Sequence, residues 1–278
     1  MISRRTLLVG GSALAMAPLI VRADGSRFSL SGFMEQGSLI VGRTEPDARV
    51  TFDGTRLSVS PDGIFACGME WDRTIPARLV VNFADGQVQS RELVPILRQY
   101  PIQRVTGLPP STVTPSPQEL ERIAREHEQL AQARKKDSDV VWFAEPFDWP
   151  AVGIMSGVFG SQRIDNGQPM SPHFGVDMAN AEGTPIHAPA DASVSISDDY
   201  FLEGGFILLD HGHGVSTSYL HQSVRLVRPG EIVRRGQMIG RIGMTGRATG
   251  PHLHWAMNWF QVRLDPSRST RTREPPRS

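Results

Sequence analysis

Short runs of β-forming residues, each closed off by glycine or by an Asp-Gly pair, constrain this 278-residue chain toward sheet before anything else. Val50 and Phe52 alternate before Asp53-Gly54, and Leu57 and Val59 alternate after it. Asp62-Gly63 and Asp85-Gly86 repeat the device. Asp-Gly favours a tight hairpin turn because the turn needs positive φ angles. Residues 28–97 therefore predict a small, β-sandwich-like module. It brings no histidine, cysteine or acid into ligand spacing, so it reads as a spacer, a cover or a docking module. Glycine-punctuated β runs return at 194–197, 206–210, 215–221 and 238–242, as expected for a compact antiparallel sheet with a groove on its open face. The fold class is mainly β, with a helical linker between the two parts.

That linker is marked by Pro101, Pro109, Pro110, Pro115 and Pro117. It opens one helix: Ser116 can cap it, Pro117 suits the first helical position, and Glu119 completes a capping box. Leu120, Ile123, Ala124, Leu130 and Ala131 follow at helical spacing, and Arg134, Lys135 and Lys136 complement the dipole at its end. His127-Glu128 does not open a zincin helix, because Ala131 stands where the second histidine is required. The expected boundaries are 1–23 for an export signal, 24–104 for the β module, 105–140 for the linker, 141–262 for the sheet domain and 263–278 for a tail. Five arginines among Pro, Ser and Thr make that tail read as disordered, with charge available to anionic surfaces.

The chemistry gathers in three stretches: His173 and Asp177 in SPHFGVD, His221 in STSYLHQS, and His252 with His254 in GPHLHW. In a strand, residues two or four apart share a face, which pairs His173 with Asp177 and His252 with His254. The same rule puts Val215, Thr217, Tyr219 and His221 on one face and aims His221 into the groove. A catalytic zinc takes three nitrogen or oxygen ligands and keeps a position open. Two histidines and a carboxylate meet that need and leave two histidines for proton transfer. His127, His187, His211 and His213 read as ordinary core or surface histidines; the last two sit in a Gly-punctuated HGHG turn. A closed structural zinc site would call for cysteine, and Cys67 is the only one. It reads as a buried, inert thiol. No G-x-S-x-G elbow supports a serine hydrolase.

FGSQRI, PHFGVD, GTPIHAPA, HGHGVSTSYLH and GRIGMTGRATGPHLHW together resemble the lysostaphin/LytM-type zinc metallopeptidases that cut peptidoglycan peptides. The likeness runs over roughly residues 143–262. It implies His173, Asp177 and His254 as ligands of one zinc ion, and His221 and His252 as catalytic histidines that do not bind it. The implied activity is endopeptidase cleavage of cross-links or stem peptides. Because family members exist that only bind the wall or activate other wall enzymes, a non-catalytic regulator is the alternative. Degenerate members lose ligands, whereas all five residues stand here. One departure is Ala192, at a position expected to be a turn and usually Gly.

The first 23 residues carry Arg4-Arg5 before the apolar run 7–21, and Val21-Arg22-Ala23 offers a small-residue cleavage site. This pattern resembles twin-arginine export and points to the periplasm or cell envelope. The apolar run is shorter than the ~20 residues a membrane span needs. Cleavage removes three arginines and no acid, leaving 26 basic residues against 29 acidic. Without a basic excess, a nucleic-acid partner is not expected.

Overall fold

The computed structural model describes residues 25–277; the export signal at 1–23 lies outside them. Among the described residues, no helix is long and apolar enough to cross a membrane. The N-terminal part forms two small sheets. Ser29–Ser31, Leu39–Arg43 and Ile64–Gly68 make one, and Arg49–Phe52, Thr55–Arg56, Ala77–Asn82 and Val88–Leu93 make the other. Asp53 and Gly54 both take positive φ at the first hairpin, as that turn requires. Cys67 is fully buried, and burial pushes its thiol pKa far up.

The C-terminal part is built on an eight-stranded antiparallel sheet. Ile154–Gly157, Val176–Ala179, His252–Trp259, Val215–Gln222, Gly204–Gly212 and Ala192–Tyr200 lie side by side in that order. Ala192 opens the last of these strands and pairs with Val233, so its position is not a turn. One face of the sheet, with Tyr219, Leu253, Trp255 and Met257, enters the main core. That core continues into the N-terminal sheets. Phe52 meets Trp259 edge-on at 6.0 Å, and Gly68 is close enough to Trp259 and Leu264 that a Cβ would lie 3.1 Å from each.

The linker is ordered against the sheet domain. Ile102–Val105 pairs in parallel with Gln162–Asp165. The helix Pro117–Ala133 carries the full capping box between Ser116 and Glu119. Its Ile123 and Leu130 are buried, whereas Leu120 faces solvent. Leu130 joins a second cluster with Ile196, Tyr200, Phe206 and Leu208 on the other face of the sheet.

Residues 263–277 are not a loose tail. Leu264 ends a strand on His252–Trp259, and Asp265 caps the short helix Pro266–Arg268 through Ser267 N–H at 3.0 Å. Arg98 pairs with the buried Asp265 at 2.8 Å, and Arg268 with Glu35 at 2.9 Å. Trp149 Nε1 donates to the Thr272 carbonyl, and Gly153 N–H to that of Pro276. The arginine-rich composition concealed this order because the residues that satisfy the segment come from distant parts of the chain.

Candidate metal centre

Asp177 and His254 face each other directly across two paired antiparallel strands. His173 reaches them from the loop before the strand Val176–Ala179, so its pairing with Asp177 is made by a turn of chain and not by strand alternation. The three side chains converge. His173 Nε2 lies 2.9 Å from Asp177 Oδ1 and 2.8 Å from His254 Nδ1, and His254 Nδ1 lies 2.9 Å from the same carboxylate oxygen. His173 and Asp177 are buried.

Two glycines make this approach possible. A Cβ on Gly157 would lie 2.2 Å from Asp177 Oδ2, and one on Gly175 would lie 2.4 Å from His254 Nε2. Both distances are well inside van der Waals contact.

The tautomers follow from the hydrogen bonds. His173 Nδ1 donates to the Val158 carbonyl at 3.1 Å, so in the neutral ring Nε2 turns a lone pair inward. Two imidazole nitrogens and a carboxylate oxygen thus meet in a donor set short of protons and suited to a cation. Such a set, with a backbone carbonyl fixing one ring from behind, fits zinc. His173, Asp177 and His254 accordingly form a triad able to hold a metal ion.

Electrostatics agree with that arrangement. Burial would raise the Asp177 carboxyl, but the adjacent His173 and His254 outweigh it and hold the group well below the usual range. Burial pushes His254 down to about 4, against the pull of Asp177. Arg163 donates to the second carboxylate oxygen, Oδ2, at 2.8 Å. Sequence reasoning assigned Arg163 no role, although FGSQRI contains it. Nothing in its spacing shows that a parallel pairing with the linker would set it behind Asp177.

The remaining two histidines adjoin the triad. His252 Nδ1 donates to the Gly250 carbonyl at 2.8 Å, and its Nε2 lies 3.9 Å from Asp177 Oδ1. His221 Nδ1 donates to the Thr245 carbonyl at 2.8 Å, and its ring lies 4.8 Å from that of His252. Both therefore present Nε2 as the free nitrogen. Burial, followed by His252 and His254 nearby, lowers His221 well below the ordinary imidazole range.

Strand alternation does not place His221. Val215, Thr217 and Tyr219 point into the core, while Ser218 and Leu220 face the groove. His221 reaches the groove because its backbone turns left-handed, at φ +65°, just after Leu220. A β-rich sequence gives no sign of such a turn. Of the other histidines, His211 is buried and bonded to the Asp191 carbonyl and to Thr217, and His127 pairs with Glu203 on the helix side of the groove.

A cavity of about 510 Å³ opens beside the triad. His173, His221 and His254 line one side, and the helix residues His127, Leu130, Ala131 and Arg134 line another. None of its lining comes from the N-terminal sheets.

The peptidase family M23 profile matches residues 171–266, the stretch that holds all five of these histidine and aspartate positions. Residues 171–266 are a peptidase family M23 domain. Peptidoglycan DD-endopeptidase ShyA of Vibrio cholerae is 42% identical over 88 residues, which is 32% of this chain and 20% of that protein. Peptidoglycan DD-endopeptidase ShyC of the same organism is 37% identical over 131 residues, 46% of this chain and 28% of that protein. The chain thus spans less than a third of the length of either curated relative. A crystal structure from Pseudomonas aeruginosa, described as an M23 peptidase, superposes with a TM-score of 0.66 at 29% identity. It covers 84% of this chain and 94% of its own, so the likeness extends beyond the M23 domain into the N-terminal sheets and linker.

Proposed function

We propose that this chain is an exported zinc metalloendopeptidase that hydrolyses cross-linking or stem peptides of peptidoglycan. The observation that carries the reading is the convergence of His173, Asp177 and His254 at 2.8–2.9 Å beside two histidines with free Nε2 atoms. A wall-binding regulator has no need of that set, and all five residues are kept.

In this reading His173, Asp177 and His254 would hold one zinc ion. Zinc supplies Lewis acidity, lowering the pKa of water toward ~7 and polarising a carbonyl. Arg163 keeps the Asp177 carboxylate oriented through Oδ2. The carbonyls of Thr245 and Gly250 hold His221 and His252 in the tautomer whose Nε2 accepts a proton. One of the two takes the proton from the attacking water. The other hydrogen-bonds the developing oxyanion or protonates the leaving amine.

The substrate class rests on the M23 domain and on the names of the curated relatives. Export across the inner membrane, motivated by Arg4-Arg5 and the apolar run after it, would put the enzyme where that substrate is. Zinc-loaded protein incubated with purified sacculi should release muropeptides with new amine ends, detected by mass spectrometry. New reducing sugar ends without new amines would overturn the reading.

A further inference from the structure

The cavity beside the triad is cationic beyond anything the hydrolytic step requires. Arg134, Arg163, Arg247 and Arg263 all line it. Arg163 is paired with Asp177. The other three make no ion pair among the described residues. Arg134 is 5% exposed, its Nε has no hydrogen-bond partner, and among the described residues the one hydrogen bond of its guanidinium is a long one of 3.3 Å to Ser218 Oγ. Arg263 lays its guanidinium over the Phe174 ring at 5.5 Å, next to His173 in sequence. One carboxylate, Glu203, lines the same space; it lies 3.6 Å from His127 and its charge also acts on Arg134, Arg247 and Arg263 without an ion-pair contact to any of them.

Holding three guanidinium groups largely out of water with Glu203 as the one carboxylate they share is costly, and arginine is the side chain best shaped to receive a further carboxylate bidentately. Burial lowers the pKa of Arg134, Arg247 and Arg263 alike, with Arg263 adding to the effect on Arg134. Glu203 opposes that effect at all three, so three guanidinium groups share one carboxylate in the cavity and leave charge to spare for a further anion. Leu130, Phe206, Leu220 and Ala256 give the rest of the cavity an apolar lining suited to a small aliphatic group.

We propose that this cavity is a carboxylate-binding subsite, in which Arg134 and Arg263 anchor an anionic group of the peptide while its scissile amide lies at the triad. The subsite deepens the endopeptidase reading by assigning its specificity to a substrate carboxylate near the cleaved bond. That carboxylate is either the free C-terminus of the peptide or an acidic side chain.

Calorimetric binding to the metal-free full chain tests the subsite apart from catalysis and apart from any carboxylate–zinc contact. The probes are N-acetyl-D-Ala-D-Ala as free acid and as amide, with an amide carrying D-Glu in place of the first D-Ala. Charge-assisted bonds worth about 1.5–3 kcal/mol correspond to a preference of roughly 10–100-fold. The free acid or the D-Glu amide should therefore bind at least about 10-fold more tightly than the neutral amide, and which of them does so identifies the source. Arg263→Gln and Arg134→Met should each collapse that preference. Arg134→Met should also keep or raise Tm, since it removes an unpaired buried charge, whereas a purely structural arginine would lower it. Equal affinity for all three probes, no binding of any, or a preference that survives both variants would overturn the subsite. If binding behaves as expected but the zinc-loaded chain cleaves no sacculus peptide, the hydrolytic reading fails and the subsite stands.

Discussion

Asp177 is the residue on which the triad most depends, because its two oxygens are committed to different partners. Oδ1 faces both histidines of the triad, and Oδ2 receives Arg163. His173→Ala, Asp177→Ala and His254→Ala should each lose zinc and activity together, since each removes one of three donors. His221→Ala and His252→Ala should keep zinc and lose turnover by about 10²–10⁴-fold, the usual size of an acid–base contribution. Metal analysis beside rates for the five folded variants separates the classes; metal loss in His252→Ala with retention in His254→Ala would reverse the assignment. Arg163→Met should show an intermediate phenotype. The fold and all three donors remain, but zinc affinity should fall about 10–100-fold, as when a ligand's supporting partner is removed. Competition with a chromogenic chelator measures it, and unchanged affinity would remove Arg163 from the site.

At the scale of elements, the helix Pro117–Ala133 joins the linker's sequence signals to the groove. Ser116 Oγ accepts from Glu119 N–H, and the Glu119 carboxylate accepts from Ser116 N–H at 2.7 Å. Ser116→Ala should cost about 0.5–2 kcal/mol, read as a shift in the denaturation midpoint at unchanged slope. A neutral result would show that the helix is held by Ile123 and Leu130 alone. This helix was legible from sequence because its cap and period are local. So were the strands and the Asp53-Gly54 turn, whereas the grouping of His173, Asp177 and His254 came from the family resemblance and not from any local signal. Three features were not legible, each for a reason of long range or backbone. His173 meets Asp177 through a loop, His221 enters the groove on a single left-handed residue, and Arg134 turns into a cavity instead of complementing the helix dipole. The order of 263–277 was hidden in the same way, since Arg98, Glu35 and Trp149 satisfy it from afar.

At the scale of the whole molecule, the N-terminal part touches the site through the His173 loop and contributes nothing to the lining of the groove. A Pro-punctuated linker could have folded the N-terminal sheets over the groove, in which case removing them would release activity. Instead Trp71 meets Phe174 edge-on at 5.4 Å, and Phe174 adjoins His173 in the loop that delivers it to the triad. Phe159 packs on Phe174 at 6.0 Å and on Tyr100 at 6.5 Å, extending the same aromatic support. Phe52 and Gly68 cover Trp259 and Leu264, which removal of the sheets would expose to water. Losing one large aromatic from such a contact costs about 3–5 kcal/mol, so stripping the whole face should be worse. A chain beginning at Val140 should therefore have a lower Tm, hold zinc more weakly and cleave sacculi more slowly than residues 24–278. Trp71→Ala in the full chain tests the same idea at one contact: the His173 loop should loosen and zinc affinity fall while the sheets stay in place. Faster cleavage by a folded, zinc-loaded chain starting at Val140 would show that the N-terminal sheets restrain the enzyme instead of bracing it.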